Sequence, residues 1–235
     1  MSTEALLPRR HTGAQAFQRV SVLIRASRVA GWPFGPILYG IGIINSESAI
    51  PSVWRAALQT VSLSFPLCII VFGVNDVYDY DSDMRNPRKH AAGLEGSILD
   101  PAYHRDVLAV ACLSSVALIV ISVLSGQPQN IVAVAALVLL GWQYSAPPLR
   151  LKEVPVADSL SNGCIVFLAW FVGFSFSGRS IAEALGAKGL VLGLCTMGVH
   201  ALGAVVDRDA DAAAGQKTIA VVLGKRPSAI FAAAC

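Results

Sequence analysis

The sequence is poor in charge: of 235 residues only 14% are Asp, Glu, Lys or Arg, while 54% are hydrophobic. Soluble proteins carry about 25% charged residues, so an enzyme with an ordinary water-exposed surface is excluded. The chain also has no run of basic residues, which excludes a nucleic-acid-binding protein despite the net charge of +3. These absences indicate a protein built for a lipid bilayer.

The sequence also lacks paired-cysteine motifs and a recognisable secretory signal. The five cysteines lie in apolar stretches without CxxC pairs, which excludes a disulfide scaffold and indicates packing residues. Residues 1–20 contain no apolar core, so no secretory signal is expected. We expect residues 1–24 to form a cytosolic N-terminal segment and residues 25–235 to form one transmembrane domain.

Five stretches of the chain are free of Asp, Glu, Lys and Arg, and each is long enough to approach or exceed one bilayer crossing of about 20 residues. They are 29–46, 56–75, 107–149, 159–178 and 189–206. The third stretch is too long for one crossing, and the polar turn at 125–130 divides it in two. The sequence therefore predicts an all-α, multi-pass bundle of six transmembrane spans, with residues 227–235 beginning a seventh.

The basic residues are distributed unequally between the loops on the two sides of this bundle. The N-terminal side holds 15 of the 18 Lys and Arg residues, in segments 1–28, 76–106, 150–158 and 207–226. Cytoplasmic loops of membrane proteins are enriched in Lys and Arg. We therefore expect the N-terminus and these three loops on the cytoplasmic side.

Seven of the ten aspartates lie in two short segments on that same side, 75–83 and 207–211. If the helices continue through them, Asp76, Asp79 and Asp83 share one helix face, as do Asp207 and Asp211. Asp81 and Asp209 then point to solvent. Like charges at this spacing destabilise a helix, so a positively charged partner is expected. A solvated helix end that merely stops each span is the alternative.

Oxygen ligands favour hard cations such as Mg²⁺ or Ca²⁺. An EF-hand calcium loop is excluded, because its Gly position holds Met84 or Ala212 and its Glu position holds His90 or Thr218. Mg²⁺ shared with phosphate oxygens fits better. Nearby cations suit the same anionic ligand: Arg88, Lys89, Arg150, Lys152 and Lys217. We therefore predict a diphosphate held between the two aspartate segments, each of which binds metal.

Three segments resemble motifs of the UbiA superfamily of intramembrane prenyltransferases. Residues 75–83 are similar to its NDxxDxxxD motif, and residues 207–218 are similar to its second motif, DxxxDxxxGxxT. Residues 144–152 resemble its YSxPPLRLK segment. The short segments 86–89 and 158–163 are most similar to the lycopene-elongase-like branch. The resemblance runs from about residue 25 to residue 226.

This resemblance implies an all-α membrane fold around a central cavity, with the two aspartate motifs facing each other at its cytosolic mouth. It implies that Mg²⁺ on a prenyl diphosphate is held by Asn75, Asp76, Asp79, Asp83, Asp207 and Asp211. It further implies that the diphosphate is gripped by Lys89, Arg150, Lys152 and Lys217, with Arg88 close by. Tyr144 would lie near the departing diphosphate or the acceptor.

Two polar residues within the spans have open roles. Asn162 either touches substrate or hydrogen-bonds a neighbouring helix. His200 lies seven residues before Asp207 and so shares its helix face; it is either a base acting on the acceptor or a structural residue.

Three functions are consistent with these motifs. The first is transfer of an isoprenoid chain from its diphosphate to a lipophilic acceptor, and the second is a UbiA-type terpene cyclase. The third is an inactive, C-terminally truncated membrane protein, because the superfamily usually has nine helices and this chain ends 17 residues after Thr218. No motif encodes the donor length, the acceptor or the organelle.

Overall fold

The computed structural model describes residues 12–85, 98–186 and 188–235. Within these ranges the chain forms helices and turns and no β-strand, so the predicted all-α fold is confirmed there. The α-helices in chain order are α1 (Thr12–Ala26), α2 (Phe34–Ser46), α3 (Val53–Ser62), α4 (Phe65–Cys68), α5 (Val74–Tyr78), α6 (Tyr80–Asp83), α7 (His104–Ser125), α8 (Pro128–Ser145), α9 (Ala157–Phe176), α10 (Ile181–Leu185), α11 (Lys188–Ala213), α12 (Ile219–Leu223) and α13 (Lys225–Ala234).

Four helical segments are long and apolar enough to cross a membrane: Val53–Tyr78, Pro101–Ser125, Ala157–Phe176 and Lys188–Ala213. The first runs from α3 to α5 and includes a π-helical turn at Ile69–Gly73. The other two predicted spans correspond to α2, with 13 residues, and α8, with 18 residues. The total of six, and α13 as the start of a seventh, remain predictions.

Helix α9 lies at the centre of the bundle and packs against α2, α8 and α11. Its contact with α2 is very close at two glycines: a Cβ on Gly42 would lie 2.1 Å from the carbonyl oxygen of Trp170, and one on Gly173 would lie 2.0 Å from that of Tyr39. Small residues let membrane helices approach until their backbones touch. The α2–α9 contact therefore depends on glycine at both positions.

Aromatic side chains fill the bundle around α9. The rings of Trp170 and Phe174 stack with their centroids 4.8 Å apart, and those of Phe167 and Phe171 stack at 6.0 Å. The indole Nε1 of the buried Trp170 donates a hydrogen bond to Asn45 Oδ1 on α2, at 3.1 Å. These rings thus pack on one another and join α9 to α2.

A buried polar pair joins three helices at the opposite end of the bundle from the aspartate segments. Gln59 Nε2 on α3 donates to Asn130 Oδ1 on α8 at 2.7 Å, and Asn130 Nδ2 donates to the Val172 carbonyl oxygen on α9 at 2.7 Å. Both side chains are fully buried. Away from water, each amide depends on the other for its hydrogen bonds.

We expect Asn130→Leu to lower the free energy of unfolding by about 1 kcal/mol, since hydrogen bonds between membrane helices contribute about that much. The double variant Gln59→Leu, Asn130→Leu should recover part of the loss, because it leaves no buried amide without a partner. Thermal unfolding in detergent measures both, with the exposed neighbour Gln129→Leu as the control. A double variant less stable than Asn130→Leu would contradict this interpretation.

Candidate active site

A polar cavity of about 350 Å³ lies where α5 and α8 end, α9 begins and α11 ends. This is one end of the bundle, because the short loop 146–156 joins the end of α8 to the start of α9 here. Its lining residues are Arg28, Asn75, Asp79, Asp83, Tyr144, Lys152, Glu153, Asp158, His200, Gly203, Ala204, Asp207, Asp211, Gln216 and Thr218. Both aspartate segments therefore contribute to a single cavity.

The first segment presents Asn75, Asp79 and Asp83 to the cavity. Successive backbone hydrogen bonds, from Asp79 N to Asn75 O and from Asp83 N to Asp79 O, keep these residues one turn apart on one face. Asn75 Nδ2 donates to Asp79 Oδ2 at 2.6 Å and to Ser145 Oγ at 2.9 Å. Asn75 thus fixes the Asp79 carboxylate and ties this segment to α8.

Two of the predicted cations lie beside Asp79, on the loop between α8 and α9. Lys152 forms an ion pair with Asp79 Oδ1, and Arg150 NH2 lies 3.9 Å from the same oxygen. Arg150 also contacts Glu153 Oε1 at 2.5 Å. Burial raises the pKa of Asp79, and the positive charge of Lys152 opposes that rise. A cation at this carboxylate therefore offsets the cost of burying its charge.

Asp76 occupies a different position from the shared face that helical spacing predicts. It is buried and does not line the cavity, and its Oδ1 accepts from Arg28 NH2 at 3.1 Å. Asp76 instead lines a second cavity of about 230 Å³, together with Arg25 and Asp100. The guanidinium of Arg28 lines the main cavity and stacks over the Phe72 ring at 4.7 Å. Arg28 therefore reaches both the main cavity and Asp76.

The second segment continues along α11, which carries His200, Gly203, Asp207 and Asp211 on the cavity side. Asp211 Oδ2 accepts from Thr218 Oγ1 at 3.2 Å, so the turn after α11 folds back over this helix end. Asp81 and Asp209 are exposed, as the helical pattern predicts. Lys217 is exposed and does not line the cavity.

Asp158, at the start of α9, was not predicted as a site residue. Its side chain is buried, and its carboxylate accepts from Ser159 N at 2.6 Å and from Ile219 N at 2.9 Å. It thereby holds the turn that carries Thr218 against α9. The sequence offers only one signal for this role, an acidic residue in the first turn of a span, and that pattern is common at helix starts.

Tyr144 and His200 meet across the cavity wall between α8 and α11. The Tyr144 hydroxyl lies 3.4 Å from His200 Nε2, and Ser159 Oγ lies 3.1 Å from His200 Nδ1. Asn162 donates to the Asp158 carbonyl oxygen at 2.9 Å and is not a lining residue. Its carboxamide also lies within hydrogen-bonding reach of the Tyr144 hydroxyl on α8, so Asn162 contacts a neighbouring helix as well as its own, whereas Tyr144 lines the cavity.

The donor set suits a hard divalent cation, because the lining residues of the two motifs, Asn75, Asp79, Asp83, Asp207 and Asp211, offer only oxygen and amide groups. In the part of the chain that the structure describes, no three Asp, Glu, His or Cys side chains are close enough to hold one metal ion. The motifs thus occupy separate parts of the wall. Arg88 and Lys89, which were predicted to bind the diphosphate, lie outside the described residues.

The fold and this cavity define a class: an all-helical membrane protein with two acidic motifs around one polar cavity. Residues 34–235 match the UbiA prenyltransferase family, and the chain belongs to that family. The predicted resemblance is confirmed.

Curated relatives are about one third identical to the chain over the residues that align. A lycopene elongase/hydratase from Corynebacterium glutamicum is 32% identical, over 89% of this chain and 71% of that protein. The C(50) beta-cyclic carotenoids biosynthesis protein LbtBC of a Dietzia strain is 35% identical, over 92% of this chain and 49% of that protein. The chain thus spans about half of one relative and about seven tenths of the other.

Solved structures share the fold. A UbiA homologue from Archaeoglobus fulgidus bound to GPP and Mg²⁺ aligns with a TM-score of 0.74 and 21% identity, over 91% of this chain and 73% of that chain. A homologue from Aeropyrum pernix aligns with a TM-score of 0.71 and 18% identity, over 88% of this chain and 74% of that chain. The alignments extend over most of this chain.

Proposed function

We propose that this protein transfers a prenyl group from a prenyl diphosphate to a lipophilic acceptor within the membrane, with Mg²⁺ as cofactor. One observation carries the proposal: both aspartate motifs and the partly buried Lys152 line a single cavity at one end of an apolar helical bundle. Such a cavity presents cations and oxygen ligands to a charged diphosphate, while the bundle offers an apolar environment to an isoprenoid chain.

Asn75, Asp79, Asp83, Asp207 and Asp211 would hold the Mg²⁺ from the cavity wall. Asp76, predicted as a sixth ligand, accepts a hydrogen bond from Arg28 in this structure. When bound, the metal acts as a Lewis acid that stabilises the leaving diphosphate. Lys152 and Arg150 bind diphosphate oxygens from the loop beside Asp79, and we assign the same role to Arg88, Lys89 and Lys217. Tyr144 contacts the reacting end of the donor or acceptor, and the apolar helices exclude water from the allylic cation.

The relatives favour one acceptor class. Several are lycopene elongase/hydratases, and lycopene is a long acyclic hydrocarbon with no polar group. We therefore propose a polyene of this type as the acceptor. The same names favour transfer over cyclisation, since an elongase joins two substrates.

The proposed orientation places the cavity on the cytoplasmic side. The segments that the sequence pattern assigns to this side carry 15 of the 18 Lys and Arg residues, and cytoplasmic loops are enriched in these residues. A water-soluble prenyl diphosphate would then enter from the cytoplasm and the acceptor from the bilayer.

The test is incubation of the chain, reconstituted in lipid nanodiscs, with labelled C5, C10 and C20 prenyl diphosphates, Mg²⁺ and lycopene. We expect diphosphate release and a labelled, elongated acceptor, both abolished by EDTA. A cyclic hydrocarbon formed without acceptor would identify a cyclase instead. No release from any donor, with Mg²⁺ still bound by calorimetry, would contradict the proposal and indicate an inactive member.

A further inference from the structure

The imidazole of His200 is held at both ring nitrogens on the wall of the cavity. Ser159 Oγ lies 3.1 Å from Nδ1, and the Tyr144 hydroxyl lies 3.4 Å from Nε2. When the ring proton is on Nδ1, it is donated to Ser159, which leaves the lone pair of Nε2 on the side of Tyr144. In this tautomer Nε2 is a proton acceptor on the cavity wall.

The proposed reaction needs such an acceptor. The C–O bond of the allylic diphosphate breaks, and C1 of the donor forms a C–C bond with a terminal alkene carbon of the polyene. This leaves a carbocation on the polyene. Loss of a proton from the adjacent carbon restores a C=C bond and gives an alkene, whereas addition of water followed by proton loss gives an alcohol.

The other basic groups of the cavity are engaged elsewhere. The carboxylate of Asp158 accepts two backbone N–H groups, and Glu153 is paired with Arg150. Asp79 is paired with Lys152, and the remaining motif carboxylates are assigned to the metal. His200 precedes Asp207 by seven residues on α11, which places it about 10 Å deeper in the bundle. That is the side from which an apolar acceptor reaches the donor.

We propose that His200 is a catalytic residue, whose Nε2 takes the proton lost from the prenylated acceptor cation. Ser159 is a positioning residue that orients the ring. The inference deepens the proposed function and rests on it. By removing the proton rapidly, His200 directs the cation to the alkene before water adds to it.

The test compares products of the unsubstituted protein and His200→Gln, with a C5 prenyl diphosphate, lycopene and Mg²⁺. Glutamine can bind Ser159 and Tyr144 but cannot accept a proton. We expect the variant to release diphosphate while the ratio of alkene to alcohol product falls about 100-fold, the usual effect of losing a general base. Thr196→Val is the control, since Thr196 lies one turn away on α11 and its hydroxyl donates to Leu192 O of the same helix.

Ser159→Ala provides a second variant that keeps the imidazole. We expect an intermediate fall in the same ratio, which a merely structural role for His200 would not produce. An unchanged ratio in His200→Gln, or only alcohol from the unsubstituted protein, would overturn this inference alone. No diphosphate release by the unsubstituted protein from any donor would overturn the proposed function, and this inference with it.

Discussion

Asp79→Asn is expected to lower the rate of diphosphate release about 1,000-fold, the scale on which loss of one charge-stabilising group slows an enzyme. Asp79 contacts several residues of the site: it accepts a hydrogen bond from Asn75, forms an ion pair with Lys152 and lines the cavity together with Asp83. Asparagine keeps the shape and removes the charge. The measurement is single-turnover release of labelled diphosphate from a prenyl diphosphate in nanodiscs with Mg²⁺.

The matched control is Asp81→Asn, two residues away on the exposed side of the same segment. It makes the same chemical change and should leave the rate within about twofold, since surface substitutions have small effects. Because Asp79→Asn also leaves Lys152 without its partner, thermal unfolding should be recorded beside the rate. Equal rates in the two variants, with both folded, would refute the role of Asp79.

Gly42→Ala is expected to lower the free energy of unfolding by about 3 kcal/mol, the upper part of the usual range for overpacking. The added methyl group would lie 2.1 Å from the Trp170 carbonyl oxygen and 2.7 Å from the Phe174 backbone nitrogen. These are backbone atoms and cannot rotate away, so α2 and α9 must separate. Thermal or denaturant unfolding in detergent measures the loss.

Gly40→Ala, two residues earlier on α2, tests whether the effect comes from packing. A Cβ at Gly40 would meet no atom within 4 Å, so alanine should be neutral or stabilise the helix by up to about 1 kcal/mol. If Gly40→Ala and Gly42→Ala lose equal stability, close helix packing is not the cause.

The fold class follows from the sequence because a bilayer limits the choice to few structures. Long stretches without charge can only be spans, and spans of this composition are helices. The length of each helix is harder to predict: α2 has 13 residues within a charge-free stretch of 18, because Pro33 and the turn before it delay its start. Hydropathy reports where charge is absent and not where a helix begins.

The sequence predicts which two segments line the cavity, but it predicts less well which of their residues do so. Spacing identifies Asp79 and Asp83 but also places Asp76 beside them. Its burial against Arg28 depends on the turn that brings residue 28 to α5, a contact 48 residues apart in sequence. Asp158 was missed for the same reason, since its partner Ile219 lies 61 residues away. Partners that tertiary folding brings together leave no local pattern.

The close contact between α2 and α9 also limits how this protein can diversify. At Gly42 and Gly173 each backbone occupies the space that a side chain would need, so a larger residue at either position would push the two helices apart. At Gly203, on the cavity side of α11, a Cβ would meet nothing within 4 Å. The shape of the cavity can therefore change by substitution at Gly203, whereas substitution at Gly42 or Gly173 would disrupt the contact between α2 and α9.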